Sequence, residues 1–178
     1  IVTKERFVAY LHTKTTERLT NVSIVQASTP VSEQTATTSW ADVTYSSITY
    51  TPTENCQYVL YEYHTFMGVP YTNDAESKGY FKFLYSDDSG SSWSELSNSR
   101  TFFGSNFDDS NNMKLRGTPT ITQLIPYWSN TPRQFKLQVM TFTDFHFGLH
   151  RLTNFYGDSG QVTPNSHFAR PFVMCGSI

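Results

Sequence analysis

The chain has 178 residues, enough for one domain with a substantial core and too few for two well-packed ones. Its formal net charge is −2 with no basic stripe, which leaves nucleic-acid binding without an electrostatic footing. No run of about 18 apolar residues is present to cross a membrane as a helix. Charged residues are 16% of the chain and aromatics also 16%, with 14 Phe and 11 Tyr. That is more ring surface than one small core holds, so part of it is expected to meet partner chains or a ligand. The two cysteines, Cys56 and Cys175, form no CxxC motif and no zinc-type spacing, and two free thiols are expected rather than a disulfide.

In chain order, residues 1–20 mix Phe7, Tyr10, Leu11 and Leu19 with Thr13, Thr15, Thr16 and Thr20, which are poor helix formers. They read as an N-terminal arm that grips something outside the core, or equally as an edge strand. Residues 21–178 read as one β domain. A strand is expected over 22–27, then a loop over 28–36 that contains Pro30. Residues 40–50 and 58–66 alternate β-branched and aromatic residues with period 2 and predict two strands. Thr51-Pro52-Thr53-Glu54-Asn55 between them reads as a tight turn. In the second strand Val59, Tyr61, Tyr63 and Thr65 fall on one side, and Tyr58, Leu60, Glu62 and His64 on the other. A long polar loop is expected over 66–78, with Tyr71 and Asn73 as candidate surface contacts, and a strand over 79–86.

Ser86-Asp87-Asp88-Ser89-Gly90-Ser91-Ser92-Trp93 has the pattern Ser-x-Asp-x-Gly-x-x-Trp and resembles the Asp-box hairpin loop of sialidases. The local logic is structural. The Asp88 carboxylate accepts backbone N–H groups, Gly90 takes a positive φ, and Trp93 packs back on the hairpin, with Ser86 opening the turn. A glycosidase propeller needs several copies in a longer chain, and one copy is present, so the motif is read as a well-made turn.

Residues 95–117 are rich in Ser and Asn and read as a second long surface loop, with Phe102, Phe103 and Phe107 as candidate receptor contacts. Asp108, Asp109, Asn111 and Asn112 lack calcium-loop spacing, so no metal is expected. Strands follow over 118–128, ended by Pro126, and over 133–142, with Phe135, Leu137, Val139 and Thr141 inward. Residues 145–153 alternate as another strand, which sets His146 and His150 on one face about 13 Å apart as exposed or interface histidines. A last strand over 168–178 closes the domain.

The order of these segments carries a resemblance: a Thr-rich strand, Ser39-Trp40-Ala41-Asp42-Val43, a strand ending Ser47-Ile48-Thr49-Tyr50-Thr51-Pro52-Thr53, then Tyr58-Val59-Leu60-Tyr61-Glu62-Tyr63. With Arg133-Gln134-Phe135-Lys136-Leu137-Gln138-Val139 further on, it resembles the C1q/TNF-like jelly rolls of phage tail fibres and virion surface proteins. The likeness spans roughly 21–178. Two features depart from the family: the turn after Thr-Pro is Glu54-Asn55-Cys56 rather than Ser- and Ala-rich, and residues 66–117 are longer and more polar. The resemblance implies an antiparallel β-sandwich, a homotrimer and a place on the virion, with the N-terminal arm bound to other virion proteins.

No nucleophile elbow, P-loop or paired His/Cys motif is present, and Glu62 and Asp144 have no spacing that marks an acid/base pair. The chain is read as non-enzymatic and without a cofactor. The favoured function is a trimeric knob of a fibre or appendage that binds a host-surface glycan or protein through its loops. The alternative is a trimeric capsid decoration protein, for which the lack of shaft repeats speaks. A carbohydrate-active enzyme is less favoured, as is a secreted signalling ligand, since no signal-peptide pattern is present.

Overall fold

Alternating β-branched and aromatic residues pair as strands across most of the chain. The computed structural model describes residues 19–28, 34–65, 67–68, 77–105, 116–117, 120–142, 148–150 and 171–178. Among them the regular elements are all strands, paired antiparallel. In order they are β1 (Thr20–Gln26), β2 (Gln34–Thr35), β3 (Ala41–Asp42), β4 (Ile48–Tyr50), β5 (Tyr58–His64), β6 (Met67–Gly68) and β7 (Ser77–Ser86). There follow β8 (Ser94–Glu95), β9 (Thr101–Ser105), β10 (Arg116–Gly117), β11 (Thr120–Pro126), β12 (Arg133–Thr141), β13 (Gly148–Leu149) and β14 (Phe172–Ser177).

One sheet runs β1–β14–β5–β11. A six-stranded sheet is built on the long β7–β12 pair, with β3 and β4 on the far side of β12 and β8 and β9 on the far side of β7. A small third sheet, β10–β6–β13–β2, contributes Met67 and Leu149 to the core. The two larger sheets face each other, which makes the fold all-β and sandwich-like. Tyr61 of the first lies edge-on to Phe83 and Phe135 of the second, with ring centroids 4.7 and 6.5 Å away. Val59, Tyr61, Tyr63, Phe81, Phe83, Phe135, Leu137 and Val139 are all sealed from water. The final strand β14 lies inside its sheet, between β1 and β5.

Burying tyrosines costs free energy unless each hydroxyl finds a partner. Tyr61 donates to the carbonyl of Ser46 at 2.6 Å and Tyr63 to that of Thr44 at 2.9 Å. Tyr50 shares a 2.8 Å hydrogen bond with Ser177. These bonds tie the second sheet's first segment to the first sheet.

The structure departs from the sequence reading in several places. Residues 40–50 do not form one strand. The chain turns at Thr44 and Tyr45, where Tyr45 has φ +61°, and β3 and β4 lie either side. The turn shifts the alternation, so Val43 is buried before it and Ser46, Ile48 and Tyr50 after it. Ser46 Oγ replaces the missing ladder partner: it accepts from the Leu137 N–H at 3.0 Å and donates to the Val43 carbonyl at 2.7 Å. The span 95–117, read as loop, contains β9 and β10, because Phe103 packs inward while β9 adds to the edge of β7. The span 66–78 contains β6 and the start of β7. Only Gly148 and Leu149 of the 145–153 strand are described as strand, and His146 lies outside the described residues. Tyr71, Asn73, Phe107, the 108–112 oxygens and residues 1–18 also lie outside them.

Candidate functional site: the outer face of the six-stranded sheet

Period 2 that sends Phe81 and Phe83 inward sends Tyr80, Lys82 and Leu84 outward on β7. The antiparallel register then builds rows across the sheet. Tyr80 lies beside Met140 of β12 and Phe102 of β9; Lys82 lies beside Gln138, which in turn lies beside Asp42 of β3; Leu84 lies between Lys136 and Glu95.

The first row is aromatic. Tyr80 sits with its ring centroid 5.4 Å from Phe102 and 5.4 Å from Phe142, tilted 59° and 69° to them. Phe102 is 54% exposed and Phe142 36%, an unusual exposure for large rings in a chain with a closed core beneath them. Phe103, one residue on, points the other way and packs on Phe81 at 5.2 Å. The two candidate phenylalanines of β9 therefore have opposite roles, one at the surface and one in the core.

The next rows are charged and laid over tryptophan. The Lys82 ammonium sits 4.5 Å from the Trp40 ring, and the Arg100 guanidinium 5.7 Å from the same ring. Arg100 grips Glu95 with two nitrogens, at 2.8 and 3.1 Å. That hydrogen bonding holds the Glu95 carboxyl below its usual range. Lys136 lies 4.1 Å from the Trp93 ring and donates to Asp42 at 2.8 Å, where Gln138 also donates at 2.7 Å. Burial opposes ionisation of Asp42, but these donors and the charges of Lys136 and Lys82 outweigh it and keep its carboxyl low. Lys82 itself has no ion pair among the described residues.

The hairpin at 86–93 supports this face from one end. Ser86 Oγ donates to Asp88 at 2.6 Å and accepts the Gly90 N–H at 2.8 Å. Asp88 also accepts the Ser92 N–H at 2.9 Å and the Ser92 hydroxyl. The hydroxyls of Ser86 and Ser92, then the Ser92 N–H, pull the Asp88 carboxyl down to about 2. Gly90 has φ +88°, a backbone conformation that calls for glycine; a Cβ there would crowd only the flexible end of Gln134, with Oε1 at 2.8 Å. Trp93 donates through its indole N–H to the Gly90 carbonyl at 3.1 Å and offers its ring to Lys136. Beyond it Arg133 pairs bidentately with Asp87 and lies 4.5 Å from Tyr85 and 4.7 Å from Trp128.

Chemically, the face offers ring surfaces and charged donors. Among the described residues no cluster of three His, Cys, Asp or Glu groups is placed to hold a metal, and no helix is long and apolar enough to cross a membrane. Cys175 is buried and Cys56 half-buried, both as free thiols, and burial pushes the Cys175 thiol up, which suppresses its thiolate. His150 was expected to be exposed and is instead buried at 3% accessibility, at the end of β13, bonded through Nδ1 to the Thr65 hydroxyl at 2.9 Å. Gly148 and Leu149 before it are buried too, because β13 is an inner strand of the third sheet, paired with β2 on one side and β6 on the other.

Of the residues singled out from sequence, the structure brings Phe102 and Trp93 to this face and Phe103 to the core. Trp40, Tyr80, Lys82, Arg100, Lys136 and Phe142 were missed. The outward set of β7 and β12 was available as the complement of the inward set, but Trp40 and Arg100 join them only through non-local pairing. No family model and no curated protein matches the chain.

Proposed function

We propose that the chain is a non-enzymatic surface domain of a bacteriophage virion: a C1q/TNF-like jelly-roll knob of a fibre or appendage, assembled as a homotrimer, that attaches to the host surface. The observation that carries the reading is the strand order. With β3 and β4 counted as one interrupted strand, β8 with β9 as another, and the four short strands of the third sheet set aside, the two larger sheets hold eight strands. The first sheet then runs first–eighth–third–sixth, and the six-stranded sheet second–seventh–fourth–fifth. That order is the one two Greek keys produce in a double-sheet jelly roll, an architecture found in capsid and lectin domains.

The trimer is supported by the first sheet. Its edge strand β1 exposes Val22, Ile24 and Val25 at 45%, 61% and 43%. Val25 pairs with the buried Val173 and is itself exposed, so β1 is covered far less than its neighbour β14. Uncharged edges of this kind invite pairing with another chain. Attachment is supported by the exposed aromatic row and its charged neighbours. The site of attachment proposed here differs from the loops favoured by the sequence: it is the flat outer face of the six-stranded sheet.

The test has two parts. Native mass measurement is expected to give three times 20.4 kDa at micromolar concentration, and purified protein is expected to bind intact bacterial cells and to compete with phage adsorption. A monomer by mass, with no cell binding, would overturn the proposal. Antibody labelling of virions by electron microscopy distinguishes the alternative: label on the head shell rather than on an appendage makes the chain a decoration protein.

A further inference from the structure

We propose that the outer face of the six-stranded sheet binds an acidic saccharide, with a sugar ring against Phe102 and Tyr80 and its carboxylate on Lys82. The inference rests on the attachment reading and names the chemistry of the receptor.

Charge balance selects the ligand. Five charged groups share the two rows beside the aromatic row. Arg100 is matched by Glu95 and Lys136 by Asp42, each through hydrogen bonds of 2.8 Å. Lys82 is left with a tryptophan ring below it and no carboxylate partner among the described residues. An ammonium has three donors and no acceptor, so a half-buried lysine resting on an indole retains N–H groups for an anionic oxygen. The carboxylates nearest to it, Asp42 and Glu95, feel its charge, but they are hydrogen-bonded by Lys136 and Gln138 and by Arg100, and neither forms an ion pair with Lys82.

Geometry adds the ring. Lys82 and Tyr80 lie two residues apart on one face of β7, about 7 Å along the strand, and Phe102 stands directly beside Tyr80. A ligand with an apolar ring face and an acid group one ring's width away meets both. A uronic or sialic residue has that form: axial C–H groups on one ring face, hydroxyls on its rim, and a carboxylate. Arg100, two residues before Phe102, and Gln138, beside Lys82, border the same site and keep N–H groups for rim hydroxyls beyond those given to Glu95 and Asp42. The face is pleated and open, which suits a polymer lying along it more than a small molecule needing enclosure.

Calorimetry with three defined probes tests the proposal: oligogalacturonate, its neutral methyl ester, and sialyllactose. Binding of at least one acidic probe is expected, weakened by salt, with the ester at least about tenfold weaker than the free acid. Lys82→Gln is expected to lose about tenfold to a hundredfold, the range for one charge-assisted hydrogen bond, while Lys82→Arg keeps most of the affinity. Phe102→Ala is expected to lose about threefold to tenfold in affinity while the melting temperature falls by no more than about 4 °C. Which acidic probe binds separates a uronate receptor from a sialylated one. The proposal is overturned if neither acidic probe binds, if ester and acid bind alike, if Lys82→Gln is neutral, or if poly-glutamate binds as tightly as the saccharides. Cell attachment separates the two readings. Attachment that survives both Lys82→Gln and Phe102→Ala removes this inference and leaves the attachment function standing. Saccharide binding without attachment to cells does the reverse.

Discussion

The two faces of the β7–β12 pair are made of alternating residues of the same two strands and differ in their physics. Inward, Phe81, Phe83, Phe135, Leu137 and Val139 are sealed by the opposite sheet, and a position's worth is set by how much apolar surface it removes from water. Outward, Tyr80, Lys82, Lys136 and Gln138 depend on groups brought in from distant chain: Trp40, Asp42, Trp93, Arg100 and Phe102. The inner face is hard to alter without unfolding the protein, and the outer face is free to be specialised. The sharpest way to break that contrast is Phe135→Ala. Phe135 is fully buried, with Phe83 stacked at 5.4 Å and Trp128 edge-on at 5.4 Å. Its truncation is expected to cost about 3–5 kcal/mol in chemical denaturation. A loss below about 1 kcal/mol would mean that the two sheets do not share this core.

The interior also holds polar groups, and these give the next largest effects. His150 has its Nδ1 on Thr65 and its Nε2 buried without a hydrogen-bond partner among the described residues. Burial pushes its pKa down to about 4, against an ordinary histidine value near 6.5. Between those values the unfolded chain binds the proton more readily than the folded one. Stability is therefore full above about pH 6.5 and falls as the pH drops through about 4, by on the order of 2–3 kcal/mol. The carboxylates shifted among the described residues, Asp42, Asp88 and Glu95, are all held low, so their contribution is lost only as the pH falls below about 4.5. His150→Asn is the matching variant, since asparagine tolerates the φ of +60° at this position. It is expected to flatten the stability profile between pH 6.5 and 4.5. An unchanged slope would show that some other group governs it.

Ser46 comes next. Its hydroxyl is the hydrogen-bond partner of the buried Leu137 N–H at the break between β3 and β4. Ser46→Ala leaves that donor unpaired and is expected to cost about 1–3 kcal/mol by urea titration. A neutral result would show that the chain re-forms a continuous ladder there, as the sequence alone had implied.

Much of the inner face was legible in advance. Val59, Tyr61, Tyr63 and Thr65 on one strand, and Phe135, Leu137, Val139 and Thr141 on another, are all buried, because period 2 over a hydrophobic run needs no partner to be read. The break at Tyr45 was not, because a positive φ at a tyrosine has no signature in local composition. Nor was the course of β9: Ser and Asn flank Phe102 and Phe103 as they do in loops, and only the free edge of β7 makes a strand of them. The outer face was least legible. Its members come from five segments, and what places Trp40 under Lys82 is a crossing of the sheet rather than a motif.

Adjacent residues of β9 give the finest version of the comparison. Phe103 faces inward against Phe81, and Phe102 faces outward against Tyr80 with half of its surface in water. Phe102→Ala removes an exposed ring whose neighbour Tyr80 keeps its contact with Phe142, so stability is expected to move by no more than about 0.5–1 kcal/mol. Phe103→Ala, in the same strand and one position on, is expected to cost several times that. The pair isolates facing from chemistry, since residue type, strand and edge position are held constant. Equal losses from both would mean that β9 does not present one face to the core and the other to solvent, and that Phe102 is not available at the surface for a ligand.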